Sequence, residues 1–234
     1  MRPGNHLWSR SPRPGNDRGG HVKGLEFVIF DLDDTIYPRS AGVMQAIGDR
    51  IHRYMVERLS LDEEVAMRLR REYLTRYGTT MRGLITHHHI DPEDYLAYVH
   101  QVPLADLLSP APRLDAALSE ILVEKVIFTN ATREHARRVL QTMGIERHFT
   151  RVVDIRDMDY HSKPHPTAYQ RLLALLGTRP EACLLVDDST RNLRPAREMG
   201  MTTVLVGDGH LENGVDFVVE EVTQVSSVVR KLGA

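Results

Sequence analysis

Short apolar runs, separated by segments with helical spacing, constrain this chain most. Phe27-Val28-Ile29-Phe30, Val126-Ile127-Phe128, Cys183-Leu184-Leu185-Val186, Thr203-Val204-Leu205-Val206 and Phe217-Val218-Val219 read as buried parallel strands, with Val152-Val153 a shorter candidate. Between them lie amphipathic helices. One carries Ala136, Val139, Leu140 and Met143 on a face and stops at Gly144; another carries Leu193, Ala196 and Met199 before Gly200. Strand alternating with helix predicts a doubly wound α/β fold with a sheet of five or six strands.

Residues 39–112 break that alternation. Val43, Ile47, Ile51, Tyr54 and Met55 follow helical spacing, as do Val65, Leu69, Tyr73 and Tyr77, so this stretch reads as an all-helical insert. Ser60 and Glu63 have capping-box spacing, Gly78 is placed to end the helix they would start, and Asp91-Pro92 can open another. Residues 1–23 are rich in Gly, Pro, Arg, Asn and His, and they read as a disordered leader because too few apolar side chains offset the entropy of ordering them.

A chain of 234 residues with 41% apolar content can bury a full core and carry one added subdomain. The net charge of -2 provides no global field to gather a nucleic-acid polymer or an anionic membrane, so recognition is expected to be local. Cys183 is the only cysteine, which excludes an internal disulfide and fits a reducing cytoplasm. No apolar stretch approaches the ~18 residues of a membrane span. The N-terminus also lacks the continuous apolar region of a secretion signal, and a soluble, intracellular protein is expected.

The chemistry is expected where strands end. In Phe30-Asp31-Leu32-Asp33-Asp34-Thr35, carboxylates directly follow a buried strand, at the sheet edge where α/β proteins bind ligands. Two other strand ends agree: Phe128 leads into Thr129 and Asn130, and Val186 leads into Asp187, Asp188 and Ser189. Paired acids repel one another unless a cation is present, and hard oxygen donors suit Mg²⁺. With Asp31, Asp33, Asp187 and Asp188 ionised, one Lys163 ammonium and one Mg²⁺ leave a net charge of about −1. Lys163 stands in Ser162-Lys163-Pro164-His165-Pro166, where the prolines favour a turn or helix entrance.

Each feature also has a plainer reading. Asp-x-Asp-x-Thr alone is a common polar turn, and a lone lysine is usually exposed. His87-His88-His89 on a helix point about 100° apart and cannot converge on one ion, so they read as a solvated face. Tyr73, Tyr77 and Tyr95 at helical spacing read as core of the insert, with Thr80 and Arg82 the better candidates for substrate contact. Arg133, Arg137 and Arg138 read as a solvated helical surface.

Taken in order, Asp31-x-Asp33-x-Thr35, Thr129, Lys163 and Asp187-Asp188 resemble the motifs of the haloacid dehalogenase-like superfamily of phosphohydrolases. The likeness covers roughly residues 25–220. It implies a Rossmann-like doubly wound parallel sheet core, 24–38 and 113–234, with an all-helical cap over 39–112. A narrower likeness is to the pyrimidine 5'-nucleotidase branch, through Asp31-Leu32-Asp33-Asp34-Thr35-Ile36-Tyr37-Pro38, Tyr77-Gly78-Thr79-Thr80-Met81-Arg82-Gly83-Leu84 and Tyr98-Val99-His100. Asp34 departs from that branch, which usually has asparagine there, and adds a negative charge beside the site.

The resemblance implies that Asp31 attacks phosphorus and forms an aspartyl-phosphate, while Asp33 serves as acid and then base. Crowding by other carboxylates is expected to favour protonated Asp33. Thr129, Asn130 and Lys163 are expected to bind phosphoryl oxygens. The implied Mg²⁺ ligands are Asp31, the main-chain carbonyl of Asp33 and the Asp187-Asp188 pair; Asn192 is placed to brace the loop or cap a helix. The expected activity is a Mg²⁺-dependent phosphomonoesterase acting on a small phosphorylated metabolite, a nucleoside 5'-monophosphate, in a monomer or homodimer. Rival readings are a phosphatase or phosphomutase for a sugar phosphate or phosphoglycolate, and a non-catalytic phosphate-binding regulatory module. A dehalogenase leaves Asp33 and the acidic pair without a task.

Overall fold

The computed structural model describes residues 24–207 and 214–233, and the expected leader over residues 1–23 lies outside them. Six parallel strands form one sheet: β1 (Phe27–Phe30), β2 (Glu124–Phe128), β3 (Phe149–Val153), β4 (Cys183–Asp187), β5 (Thr202–Val206) and β6 (Phe217–Val219), in the order β3-β2-β1-β4-β5-β6. All six predicted runs are strands, the short Val152-Val153 candidate extending back to Phe149.

The sheet is covered on both faces, which is why its strands are continuously apolar. Val28, Phe30, Ile127, Leu184 and Val186 enter one core, whereas Ile29, Val126, Phe128, Cys183 and Leu185 enter the other. This is the period-two alternation of strand side chains. On the first face, α6 (Pro112–Glu120), α7 (Arg133–Thr142) and α10 (Val225–Lys231) bury Leu114, Leu118, Val139, Leu140, Val225 and Val229. On the second, α8 (Pro166–Leu176) and α9 (Thr190–Glu198) bury Ala168, Tyr169, Leu172, Leu193 and Ala196.

Between β1 and β2 the chain is helical: α1 (Val43–Glu57), α2 (Glu63–Tyr77), α3 (Thr80–His88), α4 (Pro92–Val99) and the short α5 (Leu104–Leu107) precede α6. Gly78 ends α2 in the left-handed region at φ 86°, and Asp91 caps α4 by accepting from Glu93 N, with Pro92 in its first turn. The start of α2 differs from the sequence expectation. Asp62, not Ser60, is the N-cap; its Oδ1 accepts from Glu64 N and Val65 N, while Ser60 sits in the preceding turn at φ 53°. An Asp beside two first-turn glutamates is the better anion for the helix N-terminus.

Tyr73 and Tyr95 are buried, as their spacing predicted. His87 and His88 are not simply solvated: His87 Nε2 meets Tyr77 Oη at 2.7 Å and His88 Nε2 meets Tyr73 Oη at 3.1 Å. They join no metal-holding group among the described residues. The basic face of α7 is likewise partnered, with Arg133 donating to Asp157 and Arg138 to the His100 carbonyl. Among the described residues no helix is long and apolar enough to cross a membrane.

Strand order places the site. From β1 the chain proceeds outward through β2 and β3, then returns to pair β4 on the other side of β1 and continues to β5 and β6. Connections therefore diverge on either side of β1, and a crevice opens at the carboxyl ends of β1 and its neighbours. Phe30 pairs with Ile127 and Val186, so one step further brings Asp31 level with Phe128 and Asp187. The Asp31 N–H continues the ladder, donating to Val186 O at 2.8 Å.

Candidate active site

The carboxyl ends of β1, β2 and β4 converge as the sequence expected. Asp31, Asp187 and Asp188 each offer a carboxylate oxygen, and these lie within 4.8 Å of one another. A single divalent ion can bridge such a spacing. The carboxylate of Asp33 stands apart from this group, facing Tyr37 and His135 instead.

Lys163 is 1% exposed, contrary to the usual exposure of a lone lysine. Its Nζ donates to Asp31 Oδ1 at 2.6 Å and to Asp187 Oδ2 at 2.9 Å, and lies 5.1 Å from the centroid of the Phe128 ring. Burial works against the cation, but the two carboxylates outweigh it and hold Lys163 above the ordinary lysine range. For Asp31 burial dominates: it pushes the carboxyl up to about 8, opposed by Lys163 and assisted by Asp187. Asp188 is raised to about 6 by burial, with Asp187 and Asp34 adding to it. Carboxylates so destabilised in their ionised form are suited to a cation.

The acidic tip of β4 is fixed from several directions. Asp187 accepts from Ser189 N at 2.9 Å and from Asn192 Nδ2 at 3.0 and 3.1 Å. Asn192 thus braces the loop through its side chain, and its carbonyl accepts from Tyr169 Oη. Asp188 N donates to Thr35 Oγ1 at 3.0 Å, and Thr35 in turn donates to Asp31 Oδ2 at 3.1 Å. Thr35 ties the β1 loop to the β4 loop.

At the end of β2, Thr129 is buried; its Oγ1 accepts from Ala131 N at 3.0 Å, which leaves its hydroxyl hydrogen to donate. The side chain of Asn130 has another partner. Its Oδ1 accepts from Lys163 N at 2.7 Å and its Nδ2 donates to Lys163 O at 3.1 Å, so the expected phosphate donor is spent on holding the lysine loop.

Asp33 departs from expectation most. In place of a crowd of carboxylates it has donors at Oδ1: the Tyr37 hydroxyl, in a short contact, and His135 Nε2 at 3.2 Å. Burial raises its pKa, but His135, Tyr37 and the nearby His100 overcome that and bring it below the ordinary value. His135 sits in the first turn of α7, capped by Thr132, and its ring stacks on His100 with centroids 4.6 Å apart. Sequence reasoning assigned no role to Tyr37, His135 or His100. The available signal was a histidine beside Ala136 and Val139 on the buried face of α7.

Asp34 occupies the left-handed region at φ 62°, which Asp and Asn tolerate better than most residues. Burial raises its pKa, Asp33 adds to that, and Arg39 opposes it.

The helical insert reaches the site at Gly78–Thr80. A Cβ at Gly78 would lie 3.1 Å from Pro164 Cδ and 3.4 Å from Lys163 O, and Thr79 Oγ1 lies 3.4 Å from Ser162 Oγ. Arg191 of α9 donates to the carbonyls of Leu74 and Thr75, capping the end of α2 from the core. Thr80 is buried in the first turn of α3. Arg82 is half-buried beside it; its main-chain N–H donates to Thr79 Oγ1 at 3.3 Å, but its guanidinium makes no hydrogen bond or ion pair among the described residues, and its charge helps, after burial and His161, to lower His165. Among the described residues, neither the Thr80 hydroxyl nor the Arg82 guanidinium hydrogen-bonds to or pairs with Asp31, Asp187 or Asp188.

The family described as "Hydrolase: haloacid dehalogenase-like hydrolase" matches residues 25–200. The chain is 28% identical over 197 residues to Phosphate metabolism protein 8 of Saccharomyces cerevisiae, a match covering 76% of this chain but only 60% of that protein. It is 26% identical over 231 residues to a Glyceraldehyde 3-phosphate phosphatase of Methanopyrus kandleri, covering 89% of this chain and 98% of that one. Among solved structures, the L-2-haloacid dehalogenase of Xanthobacter autotrophicus superposes with a TM-score of 0.58 at 19% identity, over 88% of this chain and 98% of that one, a likeness of fold.

Proposed function

Because this chain belongs to the haloacid dehalogenase-like hydrolase family, we propose that it is a Mg²⁺-dependent phosphomonoesterase working through an aspartyl-phosphate on Asp31. The observation that carries this reading is the buried Lys163 ammonium between Asp31 and Asp187, with the Asp188 carboxylate inside the same 4.8 Å group.

Three hard oxygen donors at that spacing fit Mg²⁺, with Asp31, Asp187 and Asp188 supplying carboxylates and Asp33 its main-chain carbonyl. Bound there, Mg²⁺ would offset the acidic charge and polarise the phosphoryl group. Asp31 attacks phosphorus in line; the new bond from its carboxylate oxygen forms as the ester P–O bond breaks, and Asp33, ionised at rest, first takes a proton from solvent or from the substrate monoanion and passes it to the leaving oxygen. In the second half Asp33 takes a proton from water, whose oxygen attacks phosphorus, releasing inorganic phosphate and restoring Asp31. Lys163 and the Thr129 hydroxyl bind nonbridging oxygens, while Asn130 contributes its main-chain N–H to the anion.

The proposed substrate is a nucleoside 5'-monophosphate. Two observations support it: the 77–84 segment lies against the Lys163 loop, and the Arg82 guanidinium at that boundary has no hydrogen-bond or ion-pair partner among the described residues. A small sugar phosphate is the second reading, favoured by the relative named Glyceraldehyde 3-phosphate phosphatase, which matches along nearly its whole length.

Assays of the purified protein with Mg²⁺ against UMP, CMP, AMP, deoxynucleotides, glyceraldehyde 3-phosphate and phosphoglycolate test both readings. The first expects kcat/KM for UMP or CMP at least about tenfold above the sugar phosphates, the scale that a few differential contacts give. A reversed preference establishes the second reading. Binding without turnover of any ester would overturn the enzymatic reading.

A further inference from the structure

Resting on the phosphomonoesterase reading, we propose that Tyr37 and His135 are positioning residues for Asp33. Together they hold its Oδ1 and leave Oδ2 as the oxygen that exchanges a proton with the substrate.

Both donors are locked in place. Tyr37 is 1% exposed, packed among the residues of the first core, and its hydroxyl meets Asp33 Oδ1 from four residues further along the same loop. His135 comes from a different element. Its side chain is fully buried, its main-chain N–H donates to Thr132 Oγ1 at 3.3 Å, and its Nε2 lies 3.2 Å from the same Asp33 oxygen. Its Nδ1 is buried with no hydrogen-bond partner among the described residues. A buried N–H left unpaired costs more than an unpaired lone pair, so the ring hydrogen belongs on Nε2, facing Asp33.

A third residue holds the ring plane. His100 stacks on His135 at an interplanar angle of 20°, its Nδ1 lies 3.3 Å from Thr132 Oγ1, and its carbonyl accepts from Arg138 at 2.7 Å. His100 follows α4, so the segment returning from the helical insert braces the residue that holds Asp33. Asp33 Oδ2 accepts no hydrogen bond among the described residues, and the side chain is 16% exposed.

Two donors on one oxygen fix both the direction and the rotation of a carboxylate, and the second oxygen then points where the first dictates. Such preorganisation matters for a group that must reach the leaving oxygen in one half-reaction and water in the next. A purely structural role would account for a buried tyrosine and histidine. It leaves unexplained why both converge on the one oxygen of Asp33 while His135 keeps an unpartnered nitrogen.

The test compares wild type, Tyr37→Phe, His135→Leu and His135→Gln by single-turnover phosphorylation with phenyl phosphate and p-nitrophenyl phosphate. Phenolate is the more basic leaving group and depends more on a placed proton donor. Tyr37→Phe removes one oxygen and keeps the packing; His135→Gln keeps an N–H donor. Tyr37→Phe and His135→Leu are expected to slow phenyl phosphate about tenfold or more, to slow p-nitrophenyl phosphate several-fold less, and to leave KM within about twofold, with His135→Gln recovering most of the loss. Equal losses on both esters, or a fall in Tm with unchanged rates, would overturn the positioning role and leave the phosphatase reading standing. A wild-type protein that turns over neither ester overturns both.

Discussion

The side-chain amide of Asn130 spans the backbone of Lys163, accepting from its N–H at 2.7 Å and donating to its carbonyl at 3.1 Å. The tip of β2 thus sets where the lysine loop passes the acidic group. Removing the amide by Asn130→Ala loses two partly buried hydrogen bonds. Stability is expected to fall by about 1–3 kcal/mol in urea unfolding, and kcat by about tenfold, because a small displacement of Lys163 misplaces the phosphoryl contact. Unchanged stability and rate would mean that the ion pairs alone hold Lys163.

Asp31→Asn keeps side-chain volume and removes the nucleophile. Turnover is expected to fall below about a hundredth of the wild-type rate, with the circular dichroism spectrum unchanged. A chelator is expected to silence the wild-type enzyme and added Mg²⁺ to restore it. Activity that survives exhaustive chelation would contradict the metal assignment.

The Arg82 guanidinium has no hydrogen-bond or ion-pair partner among the described residues, and its charge acts on His165 of the Lys163 loop. Arg82→Ala is expected to raise KM about tenfold or more with kcat nearly unchanged, as one charge-assisted contact to substrate would predict. An equal fall in kcat with constant KM would move Arg82 from substrate binding to the chemical step.

The metal-free protein should be less stable at neutral than at mildly acidic pH. Burial raises Asp31 from 3.8 to about 8 and Asp188 from 3.8 to about 6. Over this range the two carboxyls bind more protons in the folded state than in the unfolded one; His100, which burial lowers from 6.5 to about 3, works the other way below 6.5 but is outweighed by the pair, so unfolding free energy declines as pH rises from about 4 toward 8. Asp33, shifted below its ordinary value, stabilises the fold above that value and contributes no slope in this window. Thermal melts in chelator across this range should show the decline, and saturating Mg²⁺, which binds the ionised carboxylates, should flatten it. Melts in chelator that rise with pH over the same window would contradict the burial of Asp31.

Much of the sheet was legible because a strand covered on both faces has a one-dimensional signature. The run from Cys183 to Val186 is apolar at every position because successive side chains enter different cores, and no solvent face interrupts it. The ends of these runs were legible for a related reason: once the strands are parallel, their carboxyl termini share one edge, so Asp31, Thr129 and Asp187 need no long-range information to be grouped. Helix boundaries marked by backbone geometry, such as Gly78 and Asp91-Pro92, could also be read locally. The start of α2 could not, since Ser60 and Asp62 both suit an N-cap and the turn at Ser60 decided between them.

Sequence by itself determined the identity and order of the chemical groups: two aspartates after the first strand, a threonine after the second, a lysine just ahead of two prolines and an acidic pair after the fourth. Only tertiary structure decided what surrounds each one. Lys163 is a buried cation because Asn130 and two carboxylates, distant in sequence, close around it. Asp33 is held by donors because Tyr37 folds back onto it and α7 brings His135 to it, with His100, from the segment after α4, stacked on the His135 ring. Hydrophobic periodicity is a property of neighbouring residues, whereas ionisation and orientation depend on whatever lies a few ångströms away through space, and that neighbourhood exists only after the chain has packed.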